Sequence, residues 1–441
     1  MKLFIKSKFV SSFLGTIAIY LGIGFVLCLS NFSVYLTSYI NLKDSNVTMH
    51  YGLFIQLIYS FANTFSASLG GFLENRVGFF KTIIFGYIVV FLTNIAFIFQ
   101  QNIWLCYTLS LIFGIGTGIS TSLLGKNLAL YYPDKKGMLT GVLGLGLVIV
   151  SAIFTFGGEK LINFEGRTLK EEEDFYPPEI AEKTYLYFFI GEFFIPFGFI
   201  FGLLLLYEYR PEKNKQENFN SENNETKEEK VINQEEIQIE KNQQNINENN
   251  NNKKDEKEEN ELKKEYSKKK IKQVIKSFRY WRLVIISFFV SIASSFITNT
   301  GRTFGALIGI NGTALQYAAV LQTLAILILM PTLGWLVDKK SPLLLIQIVS
   351  VCSTAPTFVL AFFMSYSSIF ITCLIIYGLM LVAIAVSFGP FVMEVYGIQE
   401  SVILFGIIGG FTKISDIITT ISAFIFSLNC GKDKDCLKQD I

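Results

Sequence analysis

Uninterrupted apolar runs of about 20 residues recur along this chain, and each is long enough to cross the hydrocarbon core of a bilayer. A water-soluble fold has no interior able to hide them all. The runs fall at 10–40, 52–73, 82–99, 103–131, 138–157, 185–207, 281–308, 313–337, 343–364, 368–396 and 401–428. They are continuous rather than alternating, which favours spanning helices over a β-barrel. The expectation is an all-α, multi-pass integral membrane protein with eleven spans, six before a polar segment and five after it. The first run is over-long, which predicts a tilted helix or one that continues past the lipid.

The polar segment sets the domain boundaries. Residues 211–270 are mainly Asn, Lys, Glu and Gln and cannot bury enough apolar surface to fold alone. This predicts an N-terminal helical half over 1–210, a disordered linker over 211–270 and a C-terminal half over 271–441. From Glu261 to Arg282 the pattern fits a basic amphipathic helix on a membrane surface, and fits better still a solvated charge run. No twelfth run follows 428. Either the C-terminus then lies across the membrane, or a last span follows outside this sequence.

Basic residues in short loops set the orientation. Lys2, Lys6 and Lys8 precede the first run. Arg76 and Lys81, then Lys135 and Lys136, then Lys339 and Lys340 stand in loops that fall on the same side. That side is expected to be cytosolic, with the N-terminus and the linker. Asn46-Val-Thr48 would then be a glycosylation sequon on the outer side.

Several chemistries are excluded. The mixed Lys and Glu of the linker give no basis for nucleic-acid binding. His50 is the single histidine, so no histidine-based metal site or proton relay can form. We find no nucleophile–base set, metal cluster or phosphate loop, so neither an enzyme nor a cofactor is expected. Cys28, Cys106, Cys352 and Cys373 read as small packing residues within the runs. Cys430 and Cys436 can pair if the tail faces an oxidising space. Gly114, Gly116 and Gly118, Gly137, Gly141, Gly144 and Gly146, and Gly406, Gly409 and Gly410 allow close helix approach in lipid.

Lys413 is the sharpest functional candidate. It lies near the middle of the last run, where a charge is expensive unless partnered or wet, and intramembrane charge marks substrate paths. It can attract a substrate carboxylate. Alternatively it pairs with Asp416, at i,i+3 spacing, to join helices; the two readings also combine. Arg302, near the far end of the seventh run, reads either as an anion-recruiting residue or as a snorkelling anchor. Glu192 reads as a helix-neighbour contact, and Lys126 as a residue that snorkels to the near surface. Asn31, Tyr35, Gln56, Asn94 and Gln322 are polar groups in apolar runs that need partners. Of these, Asn31, Tyr35 and Gln56, in the first two spans, are the candidate cavity liners.

One charged, Gly-flanked stretch occurs twice. Gly71-Phe-Leu-Glu-Asn-Arg-Val-Gly78 follows the second run, and Gly334-Trp-Leu-Val-Asp-Lys-Lys-Ser341 follows the eighth. The doubling implies two related halves. Both copies resemble the Gly-x-Leu-x-Asp-Arg-x-Gly loop of the major facilitator superfamily. Gly71, Leu73, Arg76 and Gly78 match, with Asn75 in place of aspartate and Glu74 beside it. Gly334, Leu336, Asp338 and Lys339 match in the second copy. The resemblance implies a two-bundle fold, transport by alternating access, and inner gate loops at these positions. Tyr131-Tyr-Pro-Asp-Lys-Lys-Gly137, including Asp134 and Lys135, is similar to a loop of oxalate/formate antiporter-like proteins, relatives of monocarboxylate transporters. Glu394-Val-Tyr-Gly397 and Phe405 through Lys413 resemble their tenth and eleventh spans. Met330 stands where their dicarboxylate carriers have an arginine. The resemblance therefore implies a monomeric secondary carrier of a small organic anion, a monocarboxylate, coupled to a proton or a counter-anion. Rival readings are a carrier of a sugar, amino acid or drug, and a transport-inactive receptor.

Overall fold

The computed structural model describes residues 2–27, 29–164, 175–209, 269–295, 312–363 and 366–430. Among these residues there are helices and no strand. The principal helices are α1 (Lys2–Leu27), α2 (Leu29–Asn41), α3 (Gly52–Val77), α4 (Phe79–Ile98), α5 (Ile103–Tyr131) and α6 (Lys136–Ile162). They continue with the short α7 (Pro178–Ala181), then α8 (Thr184–Leu205), α9 (Phe278–Ser295), α10 (Gly312–Lys339), α11 (Pro342–Phe363), α12 (Ser367–Tyr396) and α13 (Ile398–Cys430). Among the described residues, seven stretches are long and apolar enough to cross a membrane by length and composition. The fold is the all-α, two-bundle facilitator type.

Each predicted run carries a helix, with three differences. The first run is helical on both sides of Cys28, over Lys2–Leu27 and Leu29–Asn41, and the helix begins at Lys2 rather than at residue 10. Residues 296–311, the far part of the seventh run, lie outside the described residues. The third difference concerns the two Gly-flanked stretches, expected as loops. Gly71 to Val77 forms the last two turns of α3, and Gly334 to Lys339 ends α10. Phe, Leu, Glu and Arg continue a helix readily, so only Gly78 breaks the chain. Its φ of 96° and ψ of 163° lie in a region open essentially to glycine alone. Gly397, at φ 91° and ψ 152°, makes the corresponding turn between α12 and α13.

By contacts, residues 1–208 and 281–441 form one compact unit, and 209–280 a second. In the second, 269–276 are helical. Residues 210–268, which hold nearly all of the expected linker, lie outside the described residues.

In the first half, small residues and rings share the packing. Gly198 and Gly202 of α8 meet the backbone of α1 at Ala18, Gly22 and Gly15. The opposite face of α8 exposes Phe193, Phe197 and Phe201, which suits lipid contact. Gly114 and Gly118 of α5 meet α3, and Gly116 meets Gly86 of α4, as expected of small residues between helices. Phe97 stacks on Phe188 at 4.9 Å, and Tyr87 on Phe199 at 3.7 Å. Asn94 is fully buried, and its Nδ2 donates to the Phe188 carbonyl at 2.9 Å and to the Glu192 carboxylate. Glu192 thus contacts a neighbouring helix, as expected. Cys106 and Cys373 are buried packing residues, while Cys352 is exposed. Cys28 and Cys436 lie outside the described residues, as does the side chain of Cys430.

Candidate functional site between the two halves

The halves meet at the end of the bundle that carries Gly78. There α6 and α10 approach so closely that a Cβ on Gly334 would stand 2.5 Å from the Gly137 carbonyl oxygen. Beside this contact, Asp338 accepts hydrogen bonds from the backbone N–H groups of Gly137 at 2.6 Å and Met138 at 2.7 Å. These donors belong to the first turn of α6, where N–H groups lack partners within the helix and the dipole favours an anion. Asp338 therefore caps a helix of the other half. Opposite, α3 and α13 run antiparallel: Gly71 lies against Ile403, Gly406 against Ser68, and Gly409 against Thr64. The Ser68 hydroxyl donates to the Ile403 carbonyl at 3.1 Å.

The remaining gate residues stand nearby, and among the described residues none of them bonds across the halves. Asn75, Arg76, Asp134, Lys135 and Glu394 are exposed. Lys339 is exposed too, with its ammonium 4.2 Å from the ring centre of Trp335. So of the two related stretches, only the second places its acidic residue on a helix end of the other half. In the first, Asn75 occupies the matching position and Gly71 makes the contact.

Between the halves lies a cavity of about 330 Å³. Helical periodicity explains its walls, since residues three and four apart share a face. From α3 come Tyr59, Asn63, Thr64 and Ala67; from α5, Thr117, Gly118, Thr121, Ser122, Gly125 and Lys126. From α6 come Thr140, Leu143, Gly144 and Leu147, and α1 adds Tyr20 and Ile23. The second half contributes Gly389 and Met393 of α12 with Ser401, Val402 and Phe405 of α13. Thr117 donates to the Asn63 side-chain oxygen at 3.0 Å, which joins α3 and α5 at the cavity wall.

Lys126 is the sole charged residue among the described residues lining this cavity. It does not snorkel: it is 4% exposed, and its ammonium donates to the Glu74 carboxylate at 2.7 Å. The pair spans α5 and α3. Its position seven residues before Pro133 in the sequence looks like a helix end, but α5 runs on to Tyr131 and α3 to Val77, so both groups are enclosed. The usable signal is a pattern of four: Lys126 follows Gly118 and Ser122 on one face of α5.

Lys413 and Asp416 form an ion pair at 2.6 Å within α13, the lysine 29% exposed and the aspartate 3%. They do not line the cavity. They continue the α13 stripe of Val402, Gly406 and Gly409, the face that packs on α3. Extending that antiparallel register brings Lys413 level with Ser60 and Asp416 level with Leu57 of α3. Ser415, on the adjoining face, shares a 2.7 Å hydrogen bond with Ser291 of α9. Gln56 stands on α3 one turn past Tyr59 and Asn63 on the cavity face. Its side-chain oxygen is buried without a hydrogen-bond partner among the described residues.

Tyr35 is packed away from the cavity, stacked on Tyr176 at 4.6 Å, with its hydroxyl accepting from Asn163 at 3.4 Å. Arg302 lies outside the described residues, as do the side chains of Asn31 and Gln322. Among the described residues no group of His, Cys, Asp and Glu is placed to hold a metal.

Two helical bundles that close on each other at one end beside a cavity carrying one buried charge and several hydroxyls fit a membrane carrier. The Major Facilitator Superfamily profile matches residues 9–420. The chain belongs to this superfamily, whose members are membrane transporters and not enzymes. Comparison with curated proteins finds no match. Among solved structures, the chain is similar to the proton:xylose symporter XylE bound to 6-bromo-6-deoxy-D-glucose, with TM-score 0.61 and 12% identity, covering 97% of this chain and 90% of that one. It is also similar to the Escherichia coli fucose:proton symporter FucP, with TM-score 0.58 and 12% identity over 95% and 93%. The human organic anion transporter MFSD10 gives TM-score 0.55 and 12% identity over 98% and 95%. At these identities the likeness is one of fold.

Proposed function

We propose that this transporter is a secondary carrier of a small organic anion, a monocarboxylate, working by alternating access as a monomer in the bilayer. The observation that carries the reading is the Lys413–Asp416 pair on the α13 face that meets α3. A lysine there is held by a single carboxylate and is partly exposed. An incoming carboxylate can take the place of Asp416 as its partner. An anion reaching a cation in a low-dielectric site gains far more than in water. Gln56, on the adjoining α3 stripe with an unused side-chain oxygen, is proposed as a further contact, with Arg302 as an entrance cation.

The two halves, 1–210 and 271–441, rock about this region while residues 211–270 tether them. The Gly78 end is the cytosolic one in this reading, because Lys and Arg gather in its loops. A proton or a counter-anion drives the cycle. The size of the cavity suits a solute this small.

The test is uptake of radiolabelled acetate, lactate and pyruvate into proteoliposomes, with a pH gradient imposed and removed. Lys413→Ala is expected to lose uptake while still eluting as a folded protein, with a lowered melting temperature because Asp416 loses its partner. Normal uptake by that variant sinks the site assignment. The hydroxyl-rich walls of the cavity favour a second reading, an uncharged polyhydroxy solute. Competition by the three monocarboxylates against a sugar panel separates the two.

A further inference from the structure

The geometry points to Lys126 as a second carboxylate-binding station, in which Glu74 is the resident stand-in for the substrate. The inference rests on the organic-anion reading above and extends it to a site at the other end of the path. Lys126 is the cavity's one charged residue among those described, and it is 4% exposed. By helical rise it lies about 20 Å along the axis from the level of Lys413. The two lysines are built alike. Each has one carboxylate at salt-bridge distance, 2.7 Å to Glu74 and 2.6 Å to Asp416.

A buried lysine with a single carboxylate partner retains donors, since an ammonium has three N–H bonds. Thr121 and Ser122 lie one turn along α5 on the cavity side. Their hydroxyls bond to carbonyls of their own helix, at 2.8 Å to Thr117 and 3.4 Å to Ile119. They can rotate to donate to a second anion oxygen. Glu74 has somewhere to go: its side chain is 17% exposed, at the end of α3. A solute carboxylate entering the cavity therefore exchanges for Glu74 on the ammonium, and the count of charges around Lys126 is unchanged once Glu74 reaches water. Glu74 is also one turn from Gly71, whose contact with Ile403 joins the halves. Occupancy of the station is thus felt at the closed end.

The test compares the purified full-length carrier with Lys126→Gln, Glu74→Gln and the double variant. Equilibrium binding of acetate, lactate and pyruvate is read in detergent alongside melting temperature. Lys126→Gln is expected to weaken carboxylate binding about 10- to 100-fold, the usual range for a hydrogen bond to a charged group. Glu74→Gln removes the internal competitor and tightens binding. The double variant leaves no buried unpaired charge, so it folds, and it binds as weakly as Lys126→Gln. A double variant that regains wild-type affinity shows a purely structural pair and overturns the proposal. Wild-type affinity in Lys126→Gln, with carboxylates still bound by the parent, overturns it while leaving the organic-anion reading standing. A parent that binds no carboxylate overturns both.

Discussion

Asp338 of the second half closes the N-terminus of α6 in the first, accepting from the Gly137 N–H at 2.6 Å. The bond crosses the boundary that must open if the carrier is to release solute at the Gly78 end. Parting α6 from α10 would break it, so its strength is expected to weigh on how that end is populated.

Asp338→Asn keeps the shape and removes the charge. A hydrogen bond to a charged group contributes about 1–2 kcal/mol more than a neutral one, so the closed population is expected to fall roughly tenfold relative to the open one. Distances between spin labels on α6 and α10 at the Gly78 end report this directly. Unchanged distance distributions would show that the cap is not a latch.

Gly334→Val addresses the same closure through sterics. The added carbon stands 2.5 Å from the Gly137 carbonyl oxygen and 3.0 Å from the Met138 Cα, and neither backbone can yield without parting α6 from α10. Transport is expected to drop at least about tenfold, since 1–3 kcal/mol is typical of overpacking at a tight contact. A cysteine introduced at this end should become reactive to membrane-impermeant reagents. A variant that transports normally excludes close approach here as a requirement of the cycle.

Asp416→Asn leaves Lys413 without its carboxylate. The lysine is 29% exposed, so the loss is smaller than for a fully buried pair, about 1–2 kcal/mol after allowing for solvent. Melting temperature should fall, and Lys413→Ala on the same background should restore part of it. Melting equal to the parent would mean that the pair holds nothing in place.

Gly78→Ala and Gly397→Ala test the two sharp turns. Both glycines sit at positive φ with ψ near 150–160°, a conformation that costs an L-residue about 1–3 kcal/mol. Each substitution should lower melting temperature without altering affinity for solute. A neutral result at either site would show that the turn relaxes to another conformation.

Much of the fold was legible because lipid leaves the backbone little choice. Runs of apolar residues had to become helices, and a helix accompanies each of the eleven predicted runs. The Gly-flanked stretches were legible as a doubled motif, but they are helix ends and not loops. Their residues favour helix, and the break falls on a single glycine. Lys413 and Asp416 were legible as a pair from their spacing. Lys126 was not, because its distance from Pro133 suggested an exposed helix end, and only the neighbouring α3 shows that Glu74 covers it.

The sequence by itself determined the membrane class, the helical spans, the doubled architecture and the intrahelical ion pair. These depend on hydropathy and on residues close in the chain. Tertiary structure alone decided that Asp338 caps α6, that Lys126 rather than Lys413 lines the cavity, and that Tyr35 is buried in an aromatic stack. Each of these joins residues more than 50 positions apart. Such contacts follow from which faces the helices turn to one another, and apolar periodicity in a lipid-spanning helix does not encode that choice, because both the lipid face and the packed face are apolar.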